Sequence, residues 1–192
     1  SREDDMTGGI YRSSYSITYR AALDDNNKMT AFHIKAGGMV ESPLVNPNLF
    51  PAGTVDNYLA ESWQIDSNIT IGSYRAPRSN FNAVAEQSFI DEVAEAAGKD
   101  PFDFRLELLD RVINNPVGER NSYNAKRYAE VLNLAREKSN WGSNRSGVYR
   151  GVAAYDAHGT CVAHVLDIEM INGLPTVSRV CCAVDCGILM PL

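Results

Sequence analysis

Arg75 and Arg78 come nearest to a recognisable chemistry in this sequence. They flank Ala76-Pro77, between a strand-like run at 68–74 and a helix-like run that begins near Asn80. A helix start presents backbone N–H groups and the positive end of the helix dipole. Guanidinium groups beside it make an anion site for a phosphate, a carboxylate or a metal-bound oxo group. Ordinary solvated arginines are the other reading of the same pair. His158-x-x-Cys161-x-x-His164 has a metal-like spacing, yet on a strand residues 158 and 164 share one face and 161 takes the other, so strand packing is expected. Asp91, Glu92 and Glu95 read as a helix surface, because nothing in the sequence supplies the apolar or like-charged setting that makes a carboxylate a base. Neither a Gly-x-Gly-x-x-Gly or Walker loop nor a Gly-x-Ser-x-Gly elbow or Cys-x-x-Cys pair is present.

The elements that must position these residues follow from periodicity. Tyr15, Ile17, Tyr19, Ala21 and Leu23 alternate as on a strand; Asp24-Asp25-Asn26-Asn27 is a turn cluster, and 29–36 returns, giving a hairpin over 14–36. Residues 39–67 carry three prolines and read as a long irregular connection with a short helix near 55–61. A helix is expected from about 80 to 97, stopped by Gly98. Asp100 caps the next, with Pro101 in its first turn and Phe102, Leu106, Leu109 and Ile113 as its buried stripe. Ser122 is the expected cap of a third, which turns Tyr128, Val131, Leu132 and Ala135 inward. From Gly147 the pattern is β. Asn172-Gly173 between two alternating runs is a hairpin signal that sets Ile171 opposite Leu174, Glu169 opposite Thr176, Asp167 opposite Ser178 and His164 opposite Cys181. The His164–Cys181 pair lacks an orienting third group and an oxyanion hole, so no Cys–His nucleophile is read there. The expected class is α+β: antiparallel hairpins with a segregated three-helix block.

The 192 residues are 44% hydrophobic and 22% charged, enough apolar material for a sizeable core. A formal charge of −6 argues against general nucleic-acid binding. Residues 120–150 run against this trend, with seven basic residues and two acids. They read as a solvated helix face, with a docking patch for an acidic partner as the alternative. Cys161, Cys181, Cys182 and Cys186 lie too close together for a disulfide framework and read as small strand residues. No membrane span and no signal segment is visible, and the compartment stays open between cytoplasm and periplasm.

Three stretches carry a resemblance. The opening Arg2-Glu3-Asp4-Asp5-Met6 with Tyr11-Arg12, the run SYRAPRSNFNAVAEQSFIDEVAEAAGKDPFDFRLELLD, and GVYRGVAAYDAHGTCVAHVLDIEMINGLPTVSRVCCAVDCG resemble the molybdopterin-binding large subunits of the xanthine dehydrogenase and aldehyde oxidase family. The resemblance is nearest to its isoquinoline 1-oxidoreductase branch. It implies an interior fragment of a molybdenum hydroxylase large subunit, with 1–117 the later part of the first molybdenum-binding subdomain and 118–192 the connecting helix and opening strands of the second. It implies a parent that hydroxylates N-heteroaromatics or aldehydes with water as oxygen source. Electrons would leave through [2Fe–2S] clusters on a small partner subunit. The implied cofactor is molybdenum–molybdopterin, in the cytosine dinucleotide form. Arg75 falls where the family places an arginine against that centre, with Arg78 in a lesser role. Where the family often has glycines this loop has Ala76, Pro77, Arg78 and Ser79, and Gln87 stands where glutamate is usual, with Glu86 adjacent. No catalytic residue and no metal ligand is expected in this stretch. The isolated chain is expected to bind no cofactor, turn nothing over, and be prone to homo-oligomerise. A non-catalytic anion-binding or protein-interaction module of the same fold is the alternative.

Overall fold

Strand alternation at Tyr15, Ile17 and Tyr19 and the turn chemistry of Asp24 build the first sheet. β2 (Ser14–Leu23) and β3 (Met29–Met39) pair antiparallel, and Asp24 Oδ1 accepts from the amides of Asn26 and Lys28 at 3.0 and 2.9 Å to hold the turn. The computed structural model describes residues 1–8, 11–40, 42–72, 76, 78–118, 121–143 and 145–188. A short helix, α1 (Arg2–Thr7), leads into β1 (Tyr11–Arg12), which pairs in parallel with β5 (Ile71–Gly72).

The connection at 39–67 corrects the sequence reading. In place of a helix near 55–61 stands a strand, β4 (Asn57–Gln64), lying parallel to β3 with Ala31 opposite Asn57 and Gly38 opposite Gln64. Tyr58 and Ala60 half-bury while Asn57 and Leu59 face out, and Tyr58 stacks on Phe32 at 6.1 Å. The period is two, masked in the sequence by its brevity and flanking polar residues. β3 and β4 approach so closely that a Cβ on Gly37 would collide with the backbone oxygen of Trp63. Hairpins are thus joined by two parallel pairs, and the mixed helix and strand composition is α+β in kind.

Three helices follow: α2 (Ser79–Ala96), α3 (Pro101–Asn114) and α4 (Ala125–Ser139). Asp100 Oδ1 caps α3 by accepting from the amides of Phe102 and Asp103, and its other oxygen accepts from the Trp141 indole at 2.7 Å. Asn124, not Ser122, caps α4, its side chain accepting from the Arg127 amide. The stripe of α3 also differs: Phe102 and Leu109 are buried, but Leu106 and Ile113 lie at the margin while Phe104, Arg105 and Leu108 go inside. Arg105 can do so because every polar group at its end is occupied. Nε donates to Gln87 Oε1 at 2.9 Å, Nη1 to Asp91 Oδ1 at 2.6 Å and Pro101 O at 3.0 Å, and Nη2 to Gln87 O at 3.1 Å.

β6 (Val148–Ala157), β7 (Thr160–Ile171) and β8 (Leu174–Asp185) form an antiparallel meander with α4 packed against it. Both turns place a side chain in the left-handed region before a glycine, His158-Gly159 and Asn172-Gly173, as two-residue hairpins of the right twist require. A bulge at Asp167/Ile168 shifts the register by one residue. Asp167 therefore pairs with Arg179 and His164 with Cys182, rather than with Ser178 and Cys181. The shift lets Arg179 reach the end of α4, donating to Ser139 O at 3.2 Å and Lys138 O at 3.1 Å. Arg150 caps the same end through Ser139 O and Asn140 O while binding the buried Asp167 at 2.7 Å; Arg145 binds Asp167 at 3.1 Å. Arg127 on Asp185 also ties α4 to the sheet, while Arg136 on Asp103 ties it to α3. The main core, from Met29 to Ala183, unites sheets and helices, and a smaller cluster of Ala36, Val40, Leu44 and Phe81 lies beside the start of α2. Among the described residues no helix is long and apolar enough to cross a membrane.

Candidate functional site

The first turn of α2 carries no acidic residue, and its N-cap, Arg78, makes no side-chain hydrogen bond to the helix amides. Arg78 has a left-handed backbone, φ 67°, a conformation costly for a residue with a Cβ. Its guanidinium is anchored through Nη1 to Pro43 O at 3.1 Å. One turn along, Asn82 Nδ2 donates to Leu44 O at 2.9 Å. Two polar side chains thus tie the long loop to the positive end of a helix. That end faces a cavity of about 450 Å³, within the size range of small-molecule sites. Its walls include Arg78, Ser79, Asn82, Arg127, Asp156 and His158.

The far wall comes from the start of α4 and the β6–β7 turn. Arg127 binds Asp185 through Nε and Nη2, both at 2.7 Å, and Nη2 also donates to Gly159 O at 3.2 Å. That hydrogen bonding, with the Gly187 amide, holds the Asp185 carboxyl down to about 2. Asp156 Oδ2 accepts from Cys161 Sγ at 2.7 Å, and burial with that carboxylate pushes the thiol up to about 12. Cys161 is a protonated core residue, while His164 faces the open side of the sheet, so the His-x-x-Cys-x-x-His run does not converge. Asp91 pairs with Arg105 and Glu92 and Glu95 are exposed. Among the described residues no group of three ligating side chains could hold a metal.

Of the two arginines singled out in the sequence, Arg78 lies in the cavity wall and Arg75 lies outside the described residues. Sequence reasoning missed Arg127 and Asn82 as wall residues; the position of Arg127 in the first turn of a predicted helix was the available signal. Behind the wall is a further group it passed over. Glu86 is buried among Tyr19, Tyr58 and Tyr155, and desolvation pushes its carboxyl up to about 8.

No family model matches this chain. It is 27% identical, over 97% of its length, to a membrane-bound aldehyde dehydrogenase [pyrroloquinoline-quinone] of Gluconacetobacter polyoxogenes. Its fold is that of part of quinoline 2-oxidoreductase from Pseudomonas putida 86, with a TM-score of 0.54 over 85% of the chain at 19% identity. A Desulfovibrio gigas aldehyde oxidoreductase aligns over 86% with a TM-score of 0.47 and 17% identity. The chain spans 28% of the curated relative and 23% of the quinoline enzyme. The curated match and the fold shared with quinoline 2-oxidoreductase bear out the resemblance found in the sequence.

Proposed function

We propose that this chain forms one wall of the cofactor pocket in the large subunit of a molybdenum-dependent oxidoreductase acting on N-heteroaromatics or aldehydes. The observation that carries the reading is the positive end of α2, which has no acidic residue in its first turn and Arg78 beside it, opening on the 450 Å³ cavity in a fold shared with quinoline 2-oxidoreductase. The residues fit an anionic pterin: Arg78 and Ser79 offer donors, the first turn of α2 holds no competing acid, and Arg127 is neutralised by its own partner Asp185. When bound, that group would supply transfer of oxygen from water to an electron-poor carbon and take up the electrons released. In this reading Arg78 and Arg75 hold the anion, Asn82 fixes the loop that closes over it, and electrons pass on to [2Fe–2S] clusters of a small partner subunit.

The division at 117/118 into the end of one molybdenum-binding subdomain and the beginning of the next belongs to the same proposal. So does the cytosine dinucleotide form of the pterin. The curated relative's name favours a second reading, pyrroloquinoline quinone, whose carboxylates would suit the same guanidinium. A protein–protein or anion-binding module without chemistry is a third.

Metal analysis and cofactor extraction on the mature, full-length protein separate these readings. Stoichiometric molybdenum with extractable pterin is expected. Stoichiometric quinone without molybdenum supports the second reading, and neither group in correctly matured protein supports the third. Arg75→Ala and Arg78→Ala should each lower occupancy severalfold while leaving the fold, judged by circular dichroism, in place. Unchanged occupancy in both removes the site assignment.

A further inference from the structure

Behind the large cavity lies a second, of about 20 Å³, lined among others by Tyr19, Phe32, Tyr58, Asn82, Glu86 and Tyr155. It exceeds the ~10–15 Å³ that one water needs and is too small for an organic ligand. Two polar atoms of its lining residues, Tyr19 Oη and Asn82 Oδ1, are buried without a hydrogen-bond partner. A third lining residue, Glu86, is 7% exposed, and among the described residues its carboxyl has one hydrogen bond, from Gln87 Nε2 to Oε1 at 3.0 Å. Native interiors rarely leave such groups unpaired, and two of them beside a carboxyl with a single partner, around one void of this size, is a coincidence that a single guest resolves. The guest must accept the phenolic proton and also donate to a carboxamide oxygen. Water is the smallest species that does both.

We propose that this cavity is a site for one ordered water bridging the Tyr19 hydroxyl, the Asn82 carboxamide and the Glu86 carboxyl. The water accepts from Tyr19, donates to Asn82 Oδ1 and completes its bonding on Glu86. It does so by accepting from the neutral acid or donating to the carboxylate, so the site survives either state of that group. Asn82 is then held at both ends of its amide, by Leu44 O on one side and by water on the other. Asn82 and Tyr155 line both cavities, so the water braces the wall of the candidate anion site from behind. The inference stands on the small cavity alone and does not require the larger one to hold a cofactor.

A high-resolution crystal structure and one conservative variant test it. Density for a water within hydrogen-bond distance of all three groups is expected. An empty cavity, or a direct Tyr19–Glu86 hydrogen bond with no water, overturns it. Tyr19→Phe keeps the ring that stacks on Phe89 at 5.2 Å and deletes only the hydroxyl. If water bridges that hydroxyl, the variant melts lower by roughly 2–4 °C. If the hydroxyl is a true orphan, its removal leaves the melting temperature unchanged or raises it, and the proposal fails.

Discussion

Glu86 and Asp185 show how one functional group, the carboxyl, is set to opposite ends of its range. Burial among tyrosines raises Glu86 to about 8, although the Gln87 amide and the Arg105 charge pull it back; the neighbouring Tyr19, Tyr58, Tyr123, Tyr128 and Tyr155 are themselves held neutral by burial. The unfolded chain releases this proton near 4.5 and the folded chain holds it until about 8. The unfolded state therefore binds fewer protons across that window, and stability falls as pH rises through it. Glu86→Gln is expected to flatten this slope in urea titrations run between pH 4.5 and 8; an identical slope in the variant would show that Glu86 is ionised in the fold. Asp185 has the reverse sign. Its carboxyl is lowered from 3.8 to about 2, so its contribution is complete above the unfolded value and is lost as pH falls toward 2. Asp185→Asn should weaken the fold at neutral pH and converge with the parent protein in strong acid. Arg105 is a third case. Replacing it with Met removes four hydrogen bonds at once and takes the buried partner from Asp91, a loss of roughly 3 kcal/mol measurable by denaturant unfolding.

Elements were legible where local chemistry decides them. Asp100-Pro101 and Asn172-Gly173 each specify a backbone conformation within a few residues, and the chain begins α3 at the first and turns at the second. Asp100→Ala should cost about 2 kcal/mol, because it removes two helix-capping bonds and strands the Trp141 indole; Asp100→Asn should recover the capping share. Circular dichroism melting of the two variants measures the difference. β4 was not legible, because a parallel partner 26 residues away fixes it and its own alternation is shallow. The bulge at Asp167 was equally hidden: Ser178, the residue it leaves over, looks like any strand residue, and only the reach of Arg179 to α4 shows what the shift provides. Of the candidate site, the helix start and Arg78 could be read from the sequence. The opposite wall could not, because Arg127 and Asp156 meet the first wall only through tertiary packing.

At the scale of the whole molecule, the main core runs from Met29 to Ala183 while much of the outer β6–β8 face stays uncovered, with Tyr149, Leu174, Val180 and Val184 each more than half exposed. The chain also spans only 28% of its curated relative. Expressed alone, residues 1–192 are expected to fold, to carry no stoichiometric pterin and to turn over neither quinoline nor an aldehyde, because part of a pocket does not pre-organise its ligand. Cofactor extraction and activity assay of that product check the expectation, and bound pterin at one equivalent would refute it.

The bidentate clasp between Arg127 and Asp185 has a consequence for where the sequence is trimmed. Its partners are 58 positions apart, and the guanidinium forms part of the cavity lining. Ending the polypeptide at Val184 would remove no residue named in the lining, yet it would uncover a positive charge there. A shortened protein would then hold anions more avidly than the intact one, and would do so for a reason that has nothing to do with its natural ligand.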